Sequence, residues 1–351
     1  MKHNLKYKAI ALAMALFTLS ACNNEKASNA DTEIKISGQT MGTFFSVTLP
    51  NGYKDGAEVL EKKAHEAFSV VIDAISTFDS NSELSKFNAL QDTSKFEISD
   101  YLAKNIEECI YQAHKIEDSM DITIGPLVNL WGFGPDGRLE KKPSDSDILK
   151  AKENVGYDKF AIYHENKKAY LQKILPGVKL DMSTVGEGMG ADLLAQKLDK
   201  EQVNDYLIAV AGAIRSKGLN KKGQNWVVGI EDPKGNGVFE RVCPKGMAMS
   251  TAGSYRNFFV DKDNNQFFSH IIDPKTAAPV AHKTVSVTVI GNSATQTDAL
   301  DTGLLVLGAK KAIEFGNKYN VAVYAIEILD DGKTHKSYSK AFEPYLKCEI
   351  K

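Results

Sequence analysis

The segment Thr297-Asp-Ala-Leu-Asp-Thr302 places two acids and a hydroxyl at the spacing of a metal site. On a helix, positions i, i+3 and i+4 lie on one face, so Asp298, Asp301 and Thr302 would point the same way. Their oxygen atoms suit a hard cation, above all Mg²⁺ when substrate phosphates complete its shell. The alternative is an ordinary helix start, in which Thr297 is the N-cap and the helix dipole favours Asp298. Spacing alone leaves both interpretations open.

A histidine and an aspartate lie close together at His270-x-x-Asp273-Pro274. A histidine oriented by a carboxylate can act as a general base near neutral pH. The alternative is a structural histidine at the end of a strand, followed by a turn that Asp273-Pro274 opens. The pattern makes His270 and Asp273 candidate catalytic residues and leaves the structural interpretation open.

The pattern Gly186-x-Gly188-x-x-Ala191 follows a strand-like run, Val178–Met182, and precedes a helical pattern. With Asp205 downstream, this is the context that a dinucleotide-binding fingerprint requires. The alternative is a tight turn between strand and helix. The position in the chain argues against a Rossmann domain, because the fingerprint normally opens the first βαβ unit and here about half of the chain precedes it.

These candidate residues need a scaffold, and apolar periodicity predicts one. Helices are predicted at 56–78, 99–118, 145–154, 186–199, 297–306 and 309–319. Strands are predicted on both sides of a turn within 34–49, and at 160–164, 168–172, 178–182, 206–210, 226–231, 256–260, 285–290 and 321–328, with a loop at 119–137. Because strands and helices mix without strict alternation, the pattern favours an α+β fold over a doubly wound sheet.

The N-terminus has the features of an exported lipoprotein. Three lysines precede the apolar run Ala9–Thr18, and Leu19-Ser-Ala-Cys22 resembles a lipobox. We therefore expect a signal peptide at 1–21, a Cys22 that carries acyl chains such as palmitate, and a polar tether at 22–33. The alternative is an ordinary signal peptide with an incidental cysteine. We expect a lipid-anchored protein on the periplasmic side of a bacterial membrane, with the inner membrane favoured, although Asn23 in place of a retention aspartate leaves the choice of membrane open.

Charge and cysteine content exclude two classes of function. Without the three lysines of residues 1–21, the chain has 40 basic and 45 acidic residues, a formal charge of −5. Nucleic-acid binding calls for a basic face, so we expect no nucleic-acid partner. Cys109, Cys243 and Cys348 cannot all pair within one chain and have no CxxC spacing, so neither a disulfide framework nor a cysteine-based metal site is expected. Cys109 lies on the apolar stripe of a predicted helix and should be inert core.

Several segments together resemble the successive motifs of the ApbE family, in the family's order. They are Gly38–Thr43, Ser76–Phe78, Met120–Gly134, Asp181–Gly188, Ser250–Asn257, Ser269–Pro274 and Asp298–Gly303. The resemblance covers residues 34 to about 346. It favours the metal and general-base interpretations over their alternatives, and it displaces the Rossmann interpretation.

The resemblance implies an ApbE-type α+β fold, related to the tunnelling fold, in a domain at 34–351 with FAD in a cleft between two lobes. FAD contacts are implied at Met41, Phe78, Ser119, Met120, Asp121, Asp181, Glu187 and Ile272. Metal contacts are implied at Thr184, through its backbone oxygen, and at Asp298, Asp301 and Thr302. The catalytic histidine corresponds to His270, with Asp273 as the group that fixes its tautomer. Many relatives have lysine in place of Glu187, and no role is assigned to Ala211–Arg215.

The implied activity is Mg²⁺-dependent transfer of FMN from FAD to a threonine or serine hydroxyl of an acceptor protein, which releases AMP. The implied acceptors are subunits of membrane electron-transfer complexes, of the Na⁺-translocating NADH:quinone reductase or RNF type. Two other functions would need the same site residues or only some of them. One is a periplasmic FAD pyrophosphatase that gives FMN and AMP, and the other is a flavin-binding lipoprotein without catalytic activity.

Overall fold

A computed structural model describes residues 32–263 and 265–348 of the chain. The expected signal peptide, Cys22 and almost all of the expected tether lie outside these residues, so the division at 21 and 33 stays a prediction. Within the described ranges, no helix is long and apolar enough to cross a membrane.

Helices and strands alternate irregularly along the chain. The helices are Gly56–Ile75 (α1), Glu83–Ala89 (α2), Asp100–Lys115 (α3), Gly125–Leu130 (α4), Asp145–Lys152 (α5), Ser183–Lys200 (α6), Ala294–Leu307 (α7), Ala309–Tyr319 (α8) and Glu343–Leu346 (α9). The strands are Ile34–Thr40 (β1), Thr43–Leu49 (β2), Lys95–Ile98 (β3), Phe160–Glu165 (β4), Lys168–Lys173 (β5), Tyr206–Val210 (β6), Ala213–Lys217 (β7), Val228–Glu231 (β8), Val238–Val242 (β9), Ala248–Gly253 (β10), Phe258–Val260 (β11), Phe267–Ser269 (β12), Ile272–Asp273 (β13), Ala278–Pro279 (β14), Thr284–Gly291 (β15), Ala322–Ile328 (β16) and Thr334–Tyr338 (β17). Single turns of 3-10 helix lie at Tyr157–Lys159 and Lys340–Phe342.

The largest sheet is antiparallel throughout, with the strand order β1-β2-β6-β7-β10-β15-β16-β17. Helices α1 and α6 bury their apolar faces against one end of it, where Leu194 and Ala195 of α6 meet Ile208 and Ala248 of the strands. Because side chains alternate along a strand, one face of this sheet is available to the helices and the other must be covered separately. The helix-bearing face is where the candidate residues of α6 and α7 lie.

The opposite face of the large sheet is covered by the β8–β9 hairpin and the C-terminal segment. Tyr324 and Ile326 of β16 pack there against Phe342 and the hairpin residue Val228. A disulfide between Cys243 and Cys348 joins the end of the hairpin to the C-terminus, with 5.5 Å between the two Cα atoms. The sequence argument against disulfides was therefore wrong for this pair: three cysteines cannot all pair, but two of them meet through the fold.

A second antiparallel sheet, β3-β5-β4, lies beside α3. It shares one cluster of buried side chains with the large sheet, since Leu171 of β5 and Leu102 of α3 belong to the same cluster as Val287 of β15 and Leu304 of α7. Cys109, which is fully buried on α3, belongs to this cluster as predicted. The shared core fixes the 119–123 segment after α3 relative to α7.

The α+β class is confirmed, and most predicted elements form within a few residues of their expected bounds. One strand is wrong: Val178–Met182 makes only an isolated bridge, between Lys179 and Ile124, because side-chain and loop partners take its backbone groups. The strand that a dinucleotide fingerprint needs is therefore missing. The predicted loop at 119–137 contains the short helix α4, and helix α7 begins three residues before the predicted start at 297.

Candidate active site

Helices α6 and α7 lie close enough together for backbone and side chain to bond between them. A Cβ atom added at Gly188 of α6 would come within 2.5 Å of the Ala294 carbonyl oxygen of α7, so only glycine fits there. The Gly188 N–H donates to Oδ2 of Asp298 across this contact, at 2.8 Å. The glycines that resembled a dinucleotide fingerprint therefore serve helix packing inside α6.

Asp298 and Asp301 are buried on the inner side of α7, with 6% and 1% of their surface exposed. Oδ1 of Asp298 accepts a hydrogen bond from the Ser250 hydroxyl of β10 at 2.8 Å. Oδ1 of Asp301 accepts from the Thr302 hydroxyl at 3.2 Å, and its Oδ2 has no hydrogen-bond partner among the described residues. The N-cap of α7 is Ser293, so Asp298 is not in a first turn capped by Thr297 and that alternative is wrong.

Thr302 links the two helices at their other end. The Thr184 hydroxyl of α6 donates to the Thr302 hydroxyl at 2.9 Å. Asp298, Asp301 and Thr302 thus lie on one helix as the spacing predicted, and Thr184, which the family resemblance implied, lies against Thr302. They contribute oxygen atoms only.

Burial dominates the electrostatics of the two acids. It raises the pKa of Asp298 well above its usual range, and the nearby Glu187 carboxylate raises it further. Burial and the Asp298 carboxylate also raise the pKa of Asp301.

A buried carboxylate oxygen without a hydrogen-bond donor is costly unless a cation or a proton meets it. An all-oxygen donor set around such an atom fits a hard divalent cation, with ligands from a bound phosphate completing the shell. Within 32–263 and 265–348, no group of three His, Cys, Asp or Glu side chains forms a metal site, so these residues would need those added ligands.

Glu187 lies one residue before Gly188 on α6 and is close enough to Asp298 to raise the pKa of that acid. Its Oε2 accepts a hydrogen bond from the Gly212 N–H at 3.0 Å, at the turn between β6 and β7. Burial raises the pKa of Glu187.

Met41 lies at the β1–β2 turn with a positive φ of 49°. Its side chain reaches the α6 glycines, since a Cβ atom added at Gly190 would lie 3.0 Å from the Cε of Met41. Met41 and Glu187 therefore both adjoin the first turns of α6.

The segment after α3 also reaches α7. Ser119 is buried and its hydroxyl lies 2.9 Å from the carbonyl oxygen of Gly303. Met120 is buried beside the same glycine, because a Cβ at Gly303 would lie 3.1 Å from the Cβ of Met120. The predicted contacts Ser119 and Met120 therefore lie against the helix that carries the acids.

Two further predicted contacts follow on neighbouring loops. Asp121 is buried and its Oδ1 accepts from the N–H and hydroxyl of Thr123, while burial raises its pKa. The Asp181 N–H donates to the carbonyl oxygen of Ile122 at 2.7 Å, which joins the two loops. Oδ1 of Asp181 accepts from the N–H and hydroxyl of Ser183 at the start of α6.

Phe78 stands apart from these buried residues. It follows α1 and has 71% of its surface exposed. Its neighbour Thr77 lines a cavity of about 200 Å³ together with Asn88, Leu180 and Asp181. An exposed aromatic ring beside a polar cavity is available for stacking on a flat ligand.

His270 lies at the end of the β11–β12 hairpin. Its Nδ1 is 3.0 Å from the backbone oxygen of Asn257, and its ring is edge-on to Phe133 with 6.2 Å between centroids. Nδ1 therefore carries the proton in the neutral ring, which leaves Nε2 as the free basic nitrogen. Burial lowers the pKa of His270, the Asn257 carbonyl opposes that shift, and the positive charge of Arg138 adds to it.

The assignment of Asp273 as the group that orients His270 was wrong. Oδ1 of Asp273 accepts a hydrogen bond from the Lys275 N–H at 2.8 Å and shapes the turn between β13 and β14. The orienting group is the Asn257 carbonyl, a backbone atom that residue types cannot reveal. Ile272, the last predicted FAD contact, is buried in β13 among the side chains around Trp131.

Sequence spacing missed Ser250 and Gly188 as partners of Asp298. Both residues lie far from it along the chain, 48 and 110 positions away. Each belongs to a segment that the family resemblance had singled out. That resemblance was the one available signal, because no local pattern predicts which strand and which helix will meet α7.

Comparisons with known proteins agree with one another. The family described as ApbE matches residues 41–325 of the chain. The FAD:protein FMN transferase of Haemophilus influenzae is 38% identical over 95% of this chain and 96% of its own length. That of Escherichia coli K12 is 36% identical over 98% and 99% of the two chains.

Solved structures show the same fold. The flavin transferase ApbE from Vibrio cholerae superposes with a TM-score of 0.80 at 32% identity, covering 90% of this chain and 99% of that one. The flavinyl transferase ApbE of Pseudomonas stutzeri, in its apo form, gives a TM-score of 0.80 at 29% identity, covering 91% and 98%. These structures confirm the fold that the sequence motifs implied.

The buried acids allow a prediction about the protein without metal. Asp301→Asn removes a buried carboxylate that lacks a second partner and is repelled by Asp298, so the variant should be more stable than the wild type by about 1–3 kcal/mol in EDTA at pH 7.5. The melting temperature measured by calorimetry checks this. Asp199→Asn is the control, because Asp199 lies on the same helix as Thr184 in an exposed ion pair with Lys217. A lower melting temperature for Asp301→Asn than for the wild type would contradict the expectation.

Proposed function

The chain belongs to the ApbE family, and on that premise we propose that it is an FAD:protein FMN transferase. The observation that carries the proposal is the pair of buried acids on α7, beside the hydroxyls of Thr184 and Thr302. One oxygen of Asp301 has no hydrogen-bond partner in the part of the chain that the structure describes. Burying two acids side by side costs stability unless a cation or a proton meets them. The pair therefore indicates a functional site, and relatives similar along nearly the whole chain are transferases of this type.

The proposed reaction joins a hydroxyl of an acceptor protein to the phosphorus on the FMN side of the FAD pyrophosphate. The new bond forms between the threonine or serine oxygen and that phosphorus. The bond from the phosphorus to the bridging oxygen breaks, and AMP leaves with that oxygen. The hydroxyl proton must go to a base, and FMN remains on the acceptor as a phosphoester.

Thr184, Asp298, Asp301 and Thr302 are the residues that would hold Mg²⁺, by the fit of their oxygen atoms described above. When bound, Mg²⁺ would neutralise charge that develops on the pyrophosphate oxygens. Gly188 and Ser250 each bond one oxygen of Asp298, so they fix the direction in which its carboxylate points.

His270 would accept the proton of the acceptor hydroxyl at Nε2. Asn257 holds Nδ1, so the free nitrogen faces away from that carbonyl. The lowered pKa keeps the ring neutral, which is the form a base requires. Met41, Phe78, Ser119, Met120, Asp121, Asp181, Glu187 and Ile272 would bind FAD, on the strength of the family motifs in which they lie.

The cellular setting is part of the proposal. The acceptor would be a subunit of a membrane electron-transfer complex, of the Na⁺-translocating NADH:quinone reductase or RNF type. A Cys22-linked lipid on the periplasmic side of the membrane, with the inner membrane favoured, would hold enzyme and acceptor at the same surface. Support comes from the lipobox-like sequence before Cys22.

The proposed activity has a direct test. The protein is incubated with FAD, Mg²⁺ and a purified acceptor subunit, and in-gel flavin fluorescence with intact mass reports covalent FMN. We expect labelling with the wild type, none in EDTA, and none with Asp301→Asn, because the metal site would lose a charged ligand. Free FMN and AMP without labelling would indicate the pyrophosphatase instead. Labelling by Asp301→Asn in metal-free buffer would contradict the proposed role of Mg²⁺.

The general base predicts a pH profile. A base must be neutral, so the single-turnover rate should fall on the acid side as pH drops through the pKa of His270, which burial places below the usual 6.5. His270→Ala should lower the rate by about 10² to 10⁴-fold and abolish this acid limb, with FAD affinity nearly unchanged. His282→Ala is the control, because that ring also bonds a backbone carbonyl, of Val306. Equal loss of FAD binding and rate would make His270 structural.

The anchor predicts a change of location. Cys22→Ser should move the protein from the membrane fraction to the soluble periplasmic fraction while its activity in a detergent-free assay stays the same. Cell fractionation and intact mass of the mature protein measure both properties. A soluble wild-type protein with an unmodified Cys22 would overturn the proposal of a lipid anchor.

A further inference from the structure

An aspartate outside the predicted site binds the start of α7. Asp192 lies on α6, one turn after Gly188. Its carboxylate accepts hydrogen bonds from the Ser293 hydroxyl at 2.7 Å, the Ala294 N–H at 3.0 Å, and the N–H and hydroxyl of Thr295 at 2.9 and 3.0 Å. These donors form the N-terminus of the helix that carries the two acids.

Arg215 completes this contact from β7. Its Nε lies 3.3 Å from Oδ1 of Asp192 in an ion pair that lacks hydrogen-bond geometry, and a terminal nitrogen donates to the carbonyl oxygen of Asn292 just before α7. The Asp192 and Arg215 side chains have 14% and 20% of their surface exposed, so water screens the pair only in part. The segment that contains Arg215 had no role in the sequence analysis, and this contact gives it one.

The first N–H groups of a helix have no partner within the helix. Ser293 accepts from one of them, on Gln296, and Asp192 accepts from those of Ala294 and Thr295. A negative charge at this end is also favoured by the helix dipole. Asp192 is therefore a second cap, supplied by the neighbouring helix.

Contacts between α6 and α7 repeat every turn. Thr184 bonds Thr302, Gly188 bonds Asp298, and Asp192 bonds Ala294 and Thr295. Positions four apart lie on one face of a helix, so the three contacts form a line along two antiparallel helices. Moving α7 by one residue along α6 would break all three and would turn the acids away from Thr184. The register between the helices decides whether the metal residues converge.

We infer that Asp192, held by Arg215, is a positioning residue that sets the register of α7 on α6 and thereby the affinity of the site for its divalent cation. This inference rests on the proposed function, which assigns a cation to Asp298, Asp301, Thr302 and Thr184. Asp192 has no part in the bond-making step. It acts through the helix, as partners that orient metal ligands do, and their loss costs about 10–100-fold in metal affinity.

The test is isothermal titration calorimetry, in which Mg²⁺ is titrated into protein saturated with FAD in the absence of acceptor. Asp192→Asn keeps the shape of the side chain but loses its charge and one acceptor oxygen. We expect its dissociation constant for Mg²⁺ to rise about 10-fold or more. In the transfer assay, the Mg²⁺ concentration for half-maximal rate should rise by the same factor, and the rate at saturating Mg²⁺ should recover.

Asp199→Asn is the matched control. Asp199 lies on the same helix two turns further on, and its carboxylate meets Lys217 and the Tyr206 hydroxyl and not α7. Its Mg²⁺ affinity should equal that of the wild type. Arg215→Gln is the second variant, in case Asp192→Asn does not fold, and it should weaken Mg²⁺ binding in the same direction.

The outcomes separate the inference from the proposed function. A lower melting temperature with unchanged Mg²⁺ affinity in both variants would make the contact merely structural and would overturn the inference alone. A wild-type protein that labels its acceptor but binds no Mg²⁺ would overturn both the metal assignment and the inference. Weakened Mg²⁺ binding in Asp199→Asn as well would show a general loss of helix packing and would also count against Asp192.

Discussion

The burial of Asp298 and Asp301 on one face of α7 is the constraint on which the rest of the structure depends. These carboxylates are almost fully removed from water, so the protein must supply partners or leave a place for a cation. Gly188 meets part of that need because the absence of a side chain lets its N–H reach Asp298. The neighbouring strand meets another part through Ser250, which fixes β10 beside the helix. Among the described residues, one oxygen of Asp301 has no hydrogen-bond partner, and the proposed cation would bind there.

The need to bring α6 and the neighbouring strand against the acids of α7 also explains how the sheet and the core are arranged. Helices α6 and α7 approach to backbone contact at Gly188, and both pack on strands of the large antiparallel sheet, α6 on β6 and β7 and α7 on β7, β10 and β15. The shared buried cluster then brings the end of α3 against Gly303, so that Ser119 and Met120 lie beside the same helix. Residues far apart in the sequence therefore converge because α7 packs both on the large sheet and on α3, which in turn packs on the second sheet.

Local patterns predicted α7 and its acidic face because both follow from a period of 3.6 residues. The α+β class could be predicted because the order of strands and helices along the chain is itself a property of the sequence. Patterns could not predict that Val178–Met182 would be excluded from every sheet. The Asn88 side chain bonds both the N–H and the carbonyl oxygen of Leu180 and so occupies the groups that a neighbouring strand would bond. Nor could they place the Asn257 carbonyl on His270 or pair Cys243 with Cys348. Those contacts join distant backbone positions, and only tertiary structure decides them.

The acids near the start of α6 and on α7 also explain why a contact outside the site must hold the two helices together. The repulsion between Asp298 and Asp301 lies within α7, whereas Glu187 of α6 and Asp298 of α7 repel each other when both are charged. Such repulsion favours any movement that separates α6 from α7 when no cation is present. Hydrogen bonds that do not depend on the cation must oppose it, and those of Asp192 with the start of α7 are of this kind. The negative charge of Asp192 also raises the pKa of Asp298, so its hydrogen bonds to the start of α7 hold the two helices together in spite of that charge. The acids can therefore keep their arrangement before a cation binds.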